Sequence, residues 1–221
     1  MIILFTIPII LGLIVGSQII SNSGDEEKEI VQDSCNIRYE NNNKYIKEYV
    51  IPSKCSGPVA ITIDDEGIVW FIENNNSKLA SFDPKEYSFN EYEISDIYTN
   101  IKSWSMIAIE DEIWFTDHQN NFIWKYSKSE NKFEHFRLIT ENSYPVQILD
   151  NEDRIIVSEI FGKKIAILEK NELLINTTNG INEISPEIDL DVLGGIAIDS
   201  DDTIWFTMLT WPIEGLSLIH I

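Results

Sequence analysis

Cysteine, histidine and positive charge are what this sequence has least of: two Cys, three His, and 16 Lys+Arg against 37 Asp+Glu in 221 residues. With Cys35 and Cys55 alone, neither a multi-bridge disulfide framework nor a spaced structural zinc set can be written. One bridge between Cys35 and Cys55 is the most the chain allows. Closing about 20 residues, it would stabilise by roughly 3 kcal/mol on a chain-entropy estimate, and two free thiols are the alternative. The net charge of −21 leaves no basic stripe from which counterions could be released by a phosphate backbone, which excludes nucleic acid as a partner.

Charge is missing altogether from residues 1–20. Twenty residues at about 1.5 Å rise each would cross about 30 Å, the hydrocarbon thickness of a bilayer. The segment is therefore expected to enter a membrane, as a signal peptide or as an uncleaved anchor. Val15-Gly16-Ser17 offers small residues for cleavage, while no Lys or Arg precedes the apolar run. Either outcome exports the remainder, so the protein is expected to be extracytoplasmic, secreted or membrane-anchored. Residues 21–43, rich in Asp, Glu, Asn and Ser, read as a polar linker.

What the chain has in quantity is one phrase. Gly57-Pro58-Val59-Ala60-Ile61 leads to Val69-Trp70-Phe71-Ile72-Glu73, Ser105-Met106-Ile107-Ala108-Ile109 leads to Ile113-Trp114-Phe115-Thr116-Asp117, and Gly195-Ile196-Ala197-Ile198 leads to Ile204-Trp205-Phe206-Thr207. A weaker copy runs from Tyr144-Pro145-Val146 to Ile156-Val157-Ser158-Glu159, and the copies are spaced by 42 to 49 residues. A period of that length built from short strands predicts an all-β fold, a β-propeller of four-stranded antiparallel blades. About 3.5 blades are expected over 44–215, as repeats near 57–94, 104–138, 145–190 and 194–215.

Within each repeat the first two strands read as apolar runs covered on both faces, and the fourth as amphipathic and half exposed. Residues 44–51 alternate like a further strand, and the third repeat loosens through 176–187 after its third strand. The Trp-Phe pairs, at equivalent mid-strand positions, are assigned to packing between blades rather than to ligand stacking. Residues 216–221 break the repeat and resemble a translated sequencing-adapter peptide. They are expected to be a non-native tail, with further blades beyond residue 215.

Gly-Pro-x-x-Ile, an acidic or glycine turn, Trp-Phe-x-Glu, a polar stretch, Lys-Leu/Ile and Glu-Tyr/Phe-x-Ile together resemble the repeat of the virginiamycin B lyase family, and more loosely NHL-repeat and gluconolactonase-type propellers. The resemblance covers about residues 44–211. It implies a seven-bladed ring and a metal-dependent carbon–oxygen lyase that opens cyclic streptogramin-type lactones, with Mg2+ as the metal. It further implies a catalytic histidine after the proline that opens a blade, with a glutamate ending the second strand of that blade helping to hold magnesium. Val59 and Val146 follow such prolines here, Met106 is the nearest match in the second repeat, and Gly195 or Ile196 in the fourth. No repeat offers a histidine there, so the competing expectation is a non-enzymatic propeller that binds a small-molecule ligand or an extracellular protein.

Hairpin geometry puts the start of a first strand and the end of the second on one rim. Glu73, Asp117 and Glu159 occupy that position in three successive repeats, where carboxylates either line a cation-binding mouth or cap the polar turn that follows. His118, beside Asp117, joins them as the histidine nearest the rim.

Overall fold

The computed structural model describes residues 44–187, 191–209 and 217–220. Residues 1–20, the linker and Cys35 lie outside them. Among the described residues every regular element is a strand, and no helix is long and apolar enough to cross a membrane.

The strands come in four antiparallel sheets, each in chain order or its reverse. The first holds β1 (Pro58–Ile63), β2 (Val69–Glu73), β3 (Lys78–Asp83) and β4 (Ser88–Glu93). The second holds β5 (Met106–Ile109), β6 (Glu112–Asp117), β7 (Phe122–Ser127) and β8 (Lys132–Arg137). The third holds β9 (Pro145–Asn151), β10 (Arg154–Glu159), β11 (Lys164–Glu169) and β12 (Ile181–Ile184), and the fourth β13 (Val192–Ile198), β14 (Ile204–Leu209) and β15 (Ser217–His220). This is the blade pattern of a propeller, present here as three full sheets and a three-stranded fourth.

Acidic turns close the first hairpins. Asp64 Oδ1 accepts the amides of Glu66 and Ile68, Gly67 takes φ +84°, and Asp64 Oδ2 accepts the Trp70 indole N–H at 2.8 Å. The fourth sheet repeats the device six residues apart, with Asp199 bound to the amides of Asp201 and Thr203 and to the Trp205 indole at 2.7 Å. In the second sheet Glu112 takes the role for Trp114, also at 2.8 Å. Trp70 and Trp114 are thus fixed at both ends, apolar ring in the core and N–H on a turn carboxylate.

Blades pack face to face. Trp70, Ile72 and Leu79 share one core cluster with Met106, Ile113, Phe115 and Trp124 of the next sheet. Trp114, Ile123 and Phe136 share a second with Ile148, Ile155 and Val157, and Ile156 and Ile165 a third with Leu193, Ile196 and Phe206. Along β2 and β6 the Trp therefore faces the following blade, and along β6 and β14 the Phe faces the preceding one. Each such side chain, fully buried, contributes roughly 1.5–3 kcal/mol.

Three expectations are corrected. Residues 44–57 form no strand; instead Tyr49 lies 4.4 Å from the Phe82 ring and Ile51 packs against Phe71, Ala80 and Phe82, the face of the first sheet that points away from the second. That face is only partly covered: Val59, Ile61 and Ile63 are 43%, 65% and 64% exposed, so β1 is not the doubly buried run its composition suggests. A groove of about 300 Å³ remains between Tyr49, Ile51, Ile61, Phe71 and Phe89. The third repeat does not end loosely either, because Gly180 at φ +77° turns the chain into β12, which completes the ladder along β11. Residues 217–220, set apart by sequence, lie beside β14 as β15.

A candidate functional site at the bulged rim

Three first strands carry one extra residue near their start, and the segment leading into β5 repeats the slip. Pairing runs Ile61↔Phe71 but Pro58↔Glu73, Gln147↔Ser158 but Pro145↔Glu159, and Ile196↔Phe206 but Leu193↔Met208. In the second sheet Thr116 N–H donates to Ser105 O and His118 N–H to Lys102 O, which places the same slip at Ser103 and Trp104. The equivalent bulged positions are Val59, Trp104, Val146 and Gly194. Such a bulge re-aims one side chain at the end of a strand.

This revises the sequence alignment: the post-proline equivalent in the second blade is Trp104, not Met106, and in the fourth Gly194, not Gly195 or Ile196. A one-residue bulge is invisible to a comparison that keeps constant spacing from the tryptophan. The bulge amides have their own acceptors, Thr116 Oγ1 for Trp104 and Ser105, Ser158 Oγ for Gln147, and Thr207 Oγ1 for Gly195. The recurring hydroxyl before or at the strand end was the signal in the sequence.

Facing these positions, Glu73, Asp117 and Glu159 are fully buried. Asp117 is consumed by structure. Its Oδ1 accepts the amides of Lys102, Gln119 and Asn120, and its Oδ2 the Asn120 side-chain amide at 2.8 Å and the Trp124 indole at 3.2 Å. Glu73 is half satisfied, with Asn76 Nδ2 donating to Oε2 at 3.0 Å and Oε1 unpartnered. Burial raises its pKa.

Glu159 has neither oxygen paired. In the first two blades an asparagine stands three residues after the carboxylate, Asn76 and Asn120, and in the third that place is Gly162. A Cβ on Gly162 would sit 2.8 Å from Ser143 Cβ and 3.0 Å from Glu159 Oε2, so the site has no room for the missing donor. Burial is the main cause that pushes the Glu159 pKa up to about 7; the neighbouring Ser143 hydroxyl opposes the rise and Glu183 adds to it.

His118 is drawn into the rim rather than standing on the surface. Its Nδ1 is buried without a partner, its ring lies 4.4 Å from Tyr144 and 5.9 Å from Trp104, and burial holds its pKa below the usual imidazole range. Tyr144 in turn lies 4.9 Å from Phe161, and Trp104 Nε1 donates to Tyr144 Oη at 3.4 Å. His135, on β8, is half-buried between Phe122 and Trp124 and bonded to Asn176 Oδ1 at 3.1 Å. Cys55 is disulfide-bonded.

The magnesium implied by resemblance does not fit these residues. Asp117 has no free lone-pair direction aimed outward, Glu73 offers one oxygen, Glu159 favours its proton near neutrality, and no group of three His, Cys, Asp or Glu suited to a metal occurs among the described residues.

Sheet order, blade packing and rim define a β-propeller. No protein-family model matches the chain, and no curated protein sequence matches it. Solved structures do. A streptogramin B lyase superposes with TM-score 0.64 at 24% identity over 79% of this chain and 58% of the lyase. A catalytically inactive histidine-to-alanine virginiamycin B lyase from Staphylococcus aureus with quinupristin gives TM-score 0.61 at 23% identity over 78% and 58%. Hydrazine synthase from Kuenenia stuttgartiensis gives 0.59 at 11% over 80% and 49%. These likenesses show the fold, and one fold carries several chemistries. The chain spans 58% of the length of the lyases it matches.

Proposed function

We propose that the chain is part of an exported propeller of the virginiamycin B lyase type, which receives a cyclic streptogramin-type lactone on the bulged rim. The observation that supports this most is Glu159: a fully buried carboxyl with neither oxygen in a hydrogen bond, beside the bulge at Val146, on a fold shared with a lyase solved with quinupristin. A carboxyl that holds its proton near pH 7 can donate to a ligand carbonyl, or take a proton once a ligand displaces its own.

Elimination across a carbon–oxygen bond also needs a base at the reacting carbon. Val59, Trp104, Val146 and Gly194 cannot serve, and this observation favours a second reading, a propeller that binds without turning over. Titration of the protein with quinupristin, followed by mass spectrometry with and without Mg2+, separates the two. Ring-opening establishes the lyase, saturable binding with intact ligand establishes the binder, and no binding rejects this ligand class for the rim. Export by residues 1–20 belongs to the same proposal and is checked by cell fractionation.

A further inference from the structure

The four rings of Trp104, His118, Tyr144 and Phe161 form a continuous run across the rim of the second and third blades, with neighbouring centroids 5.9, 4.4 and 4.9 Å apart. Its two ends are open to solvent, Trp104 at 51% and Phe161 at 61% exposure.

The repeat itself shows that the fold does not require these rings. Core aromatics recur from blade to blade, as Trp70, Trp114 and Trp205 do. The rim positions do not: Trp104 corresponds to Val59, Val146 and Gly194, His118 to Asn74, and Phe161 to Asn75. Tyr144 is the sharpest case. Its counterpart in the first blade is Gly57, whose φ is +59°, and Tyr144 holds φ +61° in the same left-handed region. Glycine adopts that conformation without a steric cost, whereas a bulky residue stores strain that persists only where its surroundings impose it. Here they do. Ser143 is pinned through its amide and hydroxyl to Asn121 Oδ1, Phe161 N–H donates to Ser143 O, and the Trp104 indole holds the Tyr144 hydroxyl.

We infer that this aromatic run is a binding subsite for a planar, uncharged or cationic aromatic ring, which stacks on Trp104, Tyr144 and Phe161 beside the Glu159 carboxyl. Rings of fixed orientation recognise another ring through offset or edge contacts beyond plain burial. Anionic rings are disfavoured by a chain of net charge −21. The inference rests on the rim being the ligand face, and it adds the class of group received there.

The repeat supplies its own test. Trp104→Val and Tyr144→Gly install what other blades already carry at those positions. The full chain is titrated with indole and, separately, with cyclohexanol of similar bulk, by 15N-resolved NMR at the Trp104 indole signal and at rim amides; quinupristin is titrated into the same samples. Expected are saturable shifts with indole at least ten-fold tighter than with cyclohexanol, at least ten-fold weaker indole binding in each variant, and melting temperatures in Trp104→Val and Tyr144→Gly equal to or above the parent. Equal response to both probes, absence of binding, retained indole affinity in the variants, or a fall in their melting temperature each overturns the subsite. Quinupristin binding without indole binding would remove the aromatic subsite and leave the rim reading standing; the reverse would remove the lactone and leave the subsite.

Discussion

At the scale of single residues, three carboxylates at one repeat position have three different fates, set by the residue three places on and, for Asp117, by the further donors of Lys102, Gln119 and Trp124. Asn76 and Asn120 cap Glu73 and Asp117, while Gly162 leaves Glu159 open. The rim position was legible from the repeat, and so was the Asn, Asn, Gly series. The burial that turns an exposed-looking mouth into three enclosed groups was not. Glu159 binds its proton more tightly folded than unfolded, so its contribution is complete below the unfolded carboxyl range, near pH 4.5, and is lost as pH rises through about 7. Glu159→Gln should remove that loss. Chemical denaturation from pH 5 to 8 is expected to show the variant gaining on the parent by up to roughly 3 kcal/mol at the alkaline end, at about 1.4 kcal/mol per pKa unit. A difference that stays constant across this range would show that Glu159 titrates normally.

At the scale of elements, the first hairpin turn does more than reverse the chain. Asp64 collects two amides, the Trp70 indole and, from the second blade, the Lys128 ammonium at 3.1 Å. Burial by itself would raise its pKa, but the Trp70, Ile68 and Lys128 donors outweigh it and hold the group below the usual aspartate range. Asp64→Ala strands a buried indole N–H and a cation at once, so urea unfolding should show a loss of about 2–4 kcal/mol. Asp65→Ala, one residue along on the exposed side of the turn, should change stability by less than about 0.5 kcal/mol. An acidic turn was readable in the sequence; that its first carboxylate reaches the tryptophan six residues later depends on the hairpin closing. The blade repeat likewise came from periodicity, while β12, the missing strand at 44–51 and the bulges depended on backbone pairing that no apolar pattern encodes.

At the scale of the whole molecule, the blades are alike and the ends are not. The Phe face of each later blade is buried against its predecessor, whereas in the first sheet Ile61 and Ile63 stay exposed around an apolar groove. An open apolar strand of this kind promotes association between copies. In the 221-residue chain, Ile61→Lys with Ile63→Lys should cut concentration-dependent light scattering and leave the urea midpoint nearly unchanged. Lysine at Ile113, wholly buried between blades, should abolish the transition. Scattering that persists in the double variant would place the sticky surface elsewhere.

By itself the sequence determined the architecture: a hydrophobic period of 42 to 49 residues with a Trp-Phe core and an acidic or glycine turn leaves a bladed β-fold as the economical way to bury those side chains. The net charge of −21 was also readable from sequence alone, because net charge needs no coordinates. Only the tertiary structure decided which rim groups are available for chemistry. Availability depends on a one-residue bulge, on donors brought from loops far along the chain, and on burial. Those turn Asp117 into a structural cap, raise the Glu159 pKa to about 7, and line up Trp104 with Tyr144 across 40 residues of sequence.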